Sequence, residues 1–261
     1  MKILLTGSTG YIGRRLAYRL LQDNEVELRL FVRNPSAVDP FLKKNCQVVT
    51  GSTFDTNSLN DALCDVDIAY YLIHSMASGS DYSELDRLSA SNFKDACNNQ
   101  EISRVIYLGG LGDQETGSKH LKSRIETGNI LSAGDALYNC IWIRAGVIIG
   151  SGSASFEIIR NLVQKLPVML TPRWVSVKTE PVAINDVLDY MVASKDLVIN
   201  HNINVDIGSG PMTFGEMLTG CADVMGLNRI IIPLPLFSPG LSSYWLVLFT
   251  PVPLKIAREL V

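Results

Sequence analysis

Short apolar runs alternate along this chain with stretches whose apolar positions recur at helical spacing. KILLTG, residues 2–7, is a continuous apolar run closed by glycine, as in a parallel strand buried on both faces. Residues 11–22 follow, with Ile12, Leu16, Leu20 and with Ala17, Leu21 spaced for one helical face. VELRLFVR predicts a second strand, CQVVTG a third, DIAYYLIH a fourth, RVIYLGG a fifth and YNCIWIRAGVIIG a sixth. Helical stretches lie around Asn57–Leu63 and after Asp81, and KHLKSR, from Lys119, opens another. This alternation predicts βαβ units and an α/β fold, a doubly wound parallel sheet covered on both faces.

The second half reads differently. SASFEIIRNLVQKL places Phe156, Ile159, Val163 and Leu166 at helical spacing, with Ser153 or Ser155 as the cap. RWVSVKTEPVAI follows Pro172, then a helix NDVLDYMVASK; Asp206–Gly210 and Pro211 mark a turn before the helix TFGEMLTGCADVMG. We expect a nucleotide-binding domain over 1–150 and a smaller C-terminal lobe over 151–261. The lobe is interleaved with the sheet, caps the ligand cleft and shapes a substrate pocket.

Composition narrows the partners. The net charge is −3 with no basic block, which argues against nucleic acid. Cys46, Cys64, Cys97, Cys140 and Cys221 form no CxxC and flank no histidine pair. They predict buried thiols in a reducing cytoplasm, with no metal site. Met1 leads straight into a strand, so no signal peptide is expected, whereas the helical pattern of LKIARELV suggests a chain continuing past Val261. Ile230 to Leu254 carries no charge, yet Pro233, Pro235, Pro239, Pro251, Pro253 and Gly240 interrupt it, so no spanning helix is expected. Residues 230–254 are expected to be a buried element of the lobe, with an apolar lid or a membrane-surface contact as alternatives; oligomer formation stays open.

The chemistry starts at TGSTGYIG, where the first strand meets the first helix. Gly7, Gly10 and Gly13 let the chain turn, approach a pyrophosphate and pack helix on strand, and the helix N-terminus offers free N–H groups to phosphate. The loop Gly7, Ser8, Thr9, Gly10, Tyr11, Ile12 and Gly13 is therefore the expected dinucleotide site of a Rossmann-type fold. The second strand ends in Val32-Arg33-Asn34-Pro35, with no acid to grip ribose hydroxyls and with Arg33 able to pair with a 2′-phosphate; NADP is expected over NAD. Arg14 and Arg15 are placed to help.

TGSTGYIG resembles the motif of the extended and atypical short-chain dehydrogenase/reductases, more closely the branch of NmrA-like proteins and the nucleotide-binding accessory subunit of respiratory complex I. AYYLIHSM, YLGGLGD, IIGSGSASFE, LPVMLTPRWV and LSSYWLVLFTPVP are similar to a bacterial subgroup of NAD(P)-binding proteins. The resemblance implies cofactor contacts at Ser52, Leu72, Ile73, His74 and Gly109, and at Gly146 and Val147 in a stretch that passes the nicotinamide. It also implies a catalytic Ser just after the fifth strand and a Tyr-x-x-x-Lys pair. Here those places hold Leu108-Gly109-Gly110-Leu111 and His120 with Arg124. Arg124 can hold the ribose. His120, with a reference pKa near 6.5, is the proton donor expected in place of tyrosine, since Tyr107 lies inside the fifth strand and Tyr138 is no better placed. His74-Ser75-Met76 is a second candidate site, able to contact substrate; His201 is assigned no role. Two function classes stay open. One is an NADP-dependent oxidoreductase or epimerase-like enzyme acting on an apolar carbonyl substrate. The other is a non-catalytic protein that senses the nucleotide or supports an assembly.

Overall fold

The computed structural model describes residues 1–74, 82–115 and 117–233. Its contacts divide the chain into two units, one of residues 1–144 and 185–206, the other of residues 145–184 and 207 onward.

The first unit is built on strands β1 (Lys2–Thr6), β2 (Glu27–Val32), β3 (Gln47–Thr50), β4 (Ile68–Tyr71), β5 (Arg104–Gly110) and β6 (Asn139–Ala145). Helices α1 (Tyr11–Leu20), α2 (Pro40–Asn45), α3 (Thr56–Leu63), α4 (Tyr82–Asn99) and α5 (Lys119–Leu131) alternate with them. β1 pairs in parallel with β2 and β4, β2 with β3, and β4 with β5. Ile3, Leu4 and Leu5 of β1 are fully buried, as a strand covered on both faces requires. α4 and α5 bury Phe93, Ala96, Cys97, Ile125 and Leu131 in one cluster with Tyr71, Tyr107 and Trp142 of the sheet.

The second unit contains β7 (Val147–Ile149), α6 (Ala154–Lys165), β8 (Val168–Thr171), β9 (Lys178–Thr179) and β10 (Pro181–Ala183). After helix α7 (Ile184–Ala193) and strand β11 (Ile203–Ile207) come its β12 (Met212–Thr213), α8 (Phe214–Val224) and β13 (Ile230–Pro233). β7 pairs with β10, β9 with β12 and β8 with β13, so its sheets have two strands each. Ile158, Ile159, Leu162 and Val163 of α6 pack with Met217, Leu218 and Ala222 of α8. Ser153 caps α6: its hydroxyl accepts the Phe156 N–H at 3.2 Å.

The large sheet has the order β11-β6-β5-β4-β1-β2-β3. Three expectations change here. The sixth strand is two: β6 joins the large sheet and β7 a separate pair, because the chain turns at Gly146, where a side chain would overlap the Glu180 carbonyl. The turn read over Asp206–Gly210 begins two residues later, at Gly208, because Asp206 and Ile207 end β11, a seventh strand beside β6. Asp206 takes the Arg144 guanidinium of β6 at 2.5 and 2.9 Å, a cross-strand pair that holds the alternating INVDI segment in the sheet. The fourth strand stops at Tyr71, so Leu72, Ile73 and His74 lie past its end. Among the described residues no helix is long and apolar enough to cross a membrane. Residues 234–254 of the uncharged segment, like Ser75 and Met76, lie outside the described residues.

Candidate functional site

The chain leaves β1 between β2 on one side and β4 on the other, so strand order reverses there and the loops after β1 and β4 diverge from one edge. Thr6 ties these two strand ends together. Its buried hydroxyl donates to the Tyr70 carbonyl at 3.0 Å and accepts the Leu72 N–H at 2.9 Å. Gly7 follows with φ +70, in the left-handed region, and a Cβ there would lie 2.5 Å from the Leu72 oxygen. Gly10 donates its N–H to the Gly7 carbonyl at 3.0 Å, and a Cβ at Gly13 would overlap that carbonyl. The loop is thus folded back on itself, and it starts α1 with Gly10 as an N-cap that offers no side-chain cap. With no side-chain cap, this helix start suits an anion. Ser8 Oγ is buried with no hydrogen-bond partner among the described residues. A cradle without side chains, uncapped N–H groups and an orphaned hydroxyl fit the pyrophosphate of a dinucleotide.

Arg33 stands exposed just past β2 and makes no ion pair among the described residues; Arg14 is exposed on the first turn of α1. Arg15 instead donates to the Tyr11 carbonyl at 3.1 Å and stacks over the Tyr11 ring. Ser52 is held beside α3, its N–H donating to Ser58 Oγ at 3.3 Å and its own hydroxyl accepting from Phe54 N–H.

His74 and His120, 46 residues apart in sequence, meet with 2.8 Å between His74 Nε2 and His120 Nδ1. His120 sits in the first turn of α5, which Ser118 caps by accepting the Leu121 N–H. Burial, the neighbouring His74 and the Arg124 charge pull the His120 imidazolium down to about 3, against the opposing pull of Asp86. The ring is therefore neutral at neutral pH. A ring in that state can accept a proton or donate its one N–H, where its reference pKa had suggested a cationic acid. Arg124 Nη2 donates to the Leu108 carbonyl at 2.7 Å, while its Nε is buried without a partner among the described residues. Tyr107 donates to the Arg124 carbonyl at 2.8 Å, and burial raises its hydroxyl to about 12; burial raises Tyr138 as well. Neither phenol offers a proton near neutrality.

Gly109 and Gly110 lie within β5, not beyond it. A Cβ at Gly109 would overlap Trp142 Nε1, and one at Gly110 would lie 2.7 Å from Leu121 Cδ1. A hydroxymethyl group at Gly109 would run into the rigid Trp142 indole, whereas at Gly110 it would need only the end of the Leu121 side chain to move. Gly109 is thus placed against Trp142, whereas the glycine loop, Leu72, Ile73, His74, His120 and Arg124 all belong to the first unit around the strand ends. Gly146 and Val147 belong to the second unit.

Sequence reasoning missed Asp86 and Ser123. Asp86 is buried on α4, its Oδ2 accepting from Ser123 Oγ at 2.9 Å and lying 3.3 Å from His74 Nδ1. A signal was present: Tyr82, Asp86, Ser89, Ala90, Phe93 and Cys97 form the helical stripe that α4 buries, and a carboxylate on such a stripe needs partners.

Residues 7–138 match the family described as NAD(P)H-binding. No curated protein matches the chain. Among solved structures, the fold is similar to that of a nucleoside-diphosphate-sugar epimerase from Staphylococcus aureus, with TM-score 0.76 and 16% identity over 99% of this chain and 88% of that one. It is also similar to UDP-glucose 4-epimerase from Bifidobacterium longum in complex with NAD+ and UDP, with TM-score 0.71 and 11% identity over 90% and 86%. A dTDP-glucose 4,6-dehydratase double mutant from Streptomyces venezuelae with NAD bound gives TM-score 0.71 and 16% identity over 89% and 84%.

Proposed function

This chain belongs to the NAD(P)H-binding family, and we propose that it works there as an NADP(H)-dependent oxidoreductase or epimerase-like enzyme for an apolar carbonyl or alcohol substrate. The observation that carries this reading is the 2.8 Å contact between the His74 and His120 rings beside the strand ends. It supplies acid–base groups where Gly109, Gly110 and the buried tyrosines supply none. In this reading the loop of Gly7, Gly10 and Gly13 and the first turn of α1 hold the pyrophosphate, Arg33 pairs with the 2′-phosphate and Arg124 faces the ribose. A bound nicotinamide supplies the hydride chemistry. His120 exchanges a proton with the substrate oxygen, and His74 carries that proton away from it. The free thiols of all five cysteines favour work in a reducing cytoplasm.

A second reading, a nucleotide sensor without turnover, is favoured by the steric exclusion of serine at 109 and by the neutral state of His120. One experiment separates the two. The purified protein is titrated with NADPH and NADH, and then assayed in both directions over a panel of apolar ketones and alcohols. A charge-assisted bond contributes roughly 1.5–3 kcal/mol, so NADPH should bind about ten- to a hundredfold more tightly, and Arg33→Ala should remove most of that preference. Equal affinities in the parent would sink the choice of NADP. Turnover that His120→Ala lowers by about 10²–10⁴-fold, with NADPH affinity unchanged, is the expected result for an enzyme. NADPH binding with no turnover on any member would favour the sensor.

A further inference from the structure

The acid–base pair has a third member. Asp86 is 4% exposed, and a carboxylate so far from water is costly unless donors surround it. It receives Ser123 Oγ at 2.9 Å and faces His74 Nδ1 at 3.3 Å, and His74 Nε2 faces His120 Nδ1 at 2.8 Å. The three groups come from α4, from the segment after β4 and from the first turn of α5, and His74 stands between the other two, one ring nitrogen facing each. The two rings are 4.3 Å apart and inclined by 32°.

We propose that Asp86 is a positioning residue that sets the tautomers of both imidazoles, so that Asp86, His74 and His120 form a proton relay ending in a bare Nε2 on His120, a base for a substrate hydroxyl. The inference rests on the reading of His74 and His120 as the acid–base groups. Hydrogen-bond complementarity carries it. An ionised carboxylate only accepts, so His74 holds its proton on Nδ1. His74 Nε2 then has only a lone pair, so His120 must donate from Nδ1. A neutral imidazole has one N–H, which leaves the lone pair on His120 Nε2. No described residue hydrogen-bonds to that nitrogen.

The relay balances as a set of proton transfers. The substrate O–H bond breaks and an N–H bond forms at His120 Nε2. The proton on His120 Nδ1 passes to His74 Nε2, and the proton on His74 Nδ1 passes to Asp86 Oδ2. The substrate becomes an alkoxide, the carboxylate becomes a carboxylic acid and both rings stay neutral; nothing is oxidised in these steps. The relay is thus poised to take a proton, which suits an alcohol substrate. A carbonyl substrate is served by the same steps in reverse, starting from the protonated carboxyl.

The test reads tautomers directly, with neither substrate nor turnover. Long-range 15N–1H spectra of the uniformly 15N-labelled full chain at pH 7 report which nitrogen of each ring is protonated. The chain has 3 histidines, and single His→Gln variants assign the signals. We expect the Nδ1–H form to dominate at both His74 and His120. Asp86→Asn should turn the His74 ring to a mixed or Nε2–H form, Asp86→Glu should restore the parent pattern, and His74→Gln should release His120 to the Nε2–H form. Should Asp86→Asn not fold, the parent spectrum and His74→Gln still decide. An Nε2–H proton on His120 in the parent overturns the relay, because the ring would then present a proton and not a lone pair. Spectra of Asp86→Asn or His74→Gln that match the parent at the remaining rings overturn it too. The enzyme reading fails on separate grounds, when a chain with the expected tautomers turns over no alcohol or carbonyl in the panel.

Discussion

At the scale of single residues, the site is shaped by side chains that are missing as much as by those present. Trp142 takes up the space next to Gly109, and Leu121 the space next to Gly110. Restoring a serine to the place where the resembled enzymes carry one should therefore fail. We predict that Gly109→Ser lowers stability by about 1–3 kcal/mol, the usual cost of forcing extra atoms into a packed core, and brings no gain in carbonyl turnover. The urea midpoint of the variant measures the first, and an NADPH oxidation assay the second. An unchanged midpoint would mean that the indole moves aside freely.

Elements in this chain start where local side-chain chemistry lets them. In the sequence T-F-G-E, Thr213 Oγ1 accepts the Glu216 N–H at 3.1 Å, and the Glu216 carboxylate accepts the Thr213 N–H at 2.7 Å. This reciprocal pair starts α8, whose Met217, Leu218 and Ala222 fill the core of the second unit. Thr213→Ala should cost about 0.5–2 kcal/mol, and Thr213→Ser should keep most of the cap. Amide exchange in the first turn of α8 would show it; equal protection in parent and Ala variant would assign the helix start to packing alone. Of such local signals the Ser153 cap of α6 was legible beforehand, as were the apolar runs of β1 to β5. The break at Gly146 was not, because the obstacle is Glu180, a residue of a distant strand end. Nor was β11, whose pairing beside β6 draws on the Arg144–Asp206 contact between residues 62 positions apart.

For the whole molecule, the neutral His120 links folding to pH. Its folded pKa is lowered from 6.5 to about 3, so below about 6.5 the unfolded chain binds a proton that the folded chain refuses. Stability is therefore full above that pH and falls as pH drops towards 3, by on the order of a few kcal/mol over the window. Asp23, Asp39 and Asp135 are held below their usual 3.8 by the Lys195, Tyr18 and Lys94 partners, and they withdraw stability only nearer that lower value. Between pH 6.5 and 4.5 the imidazole should lead. Urea unfolding at pH 7.5 and 4.5 should show a larger loss for the parent than for His120→Gln. Equal losses would show that His120 ionises in the folded protein.

The sequence by itself determined the alternation of strands and helices, the glycine loop at the end of β1, the absence of an acid after β2 and the absence of serine and tyrosine at the expected places. Each is a local property: the period of apolar positions, the geometry of a turn, the identity of the residue at one strand end. Only the tertiary structure decided that His74 and His120 touch, that Asp86 stands behind them with Ser123, and that Trp142 fills the space a serine would need. Those facts depend on which strands are neighbours and on how α4 and α5 lie against them. Strand order and helix packing are settled by burial summed over the whole sheet, so residues far apart in sequence become partners without any local mark of it.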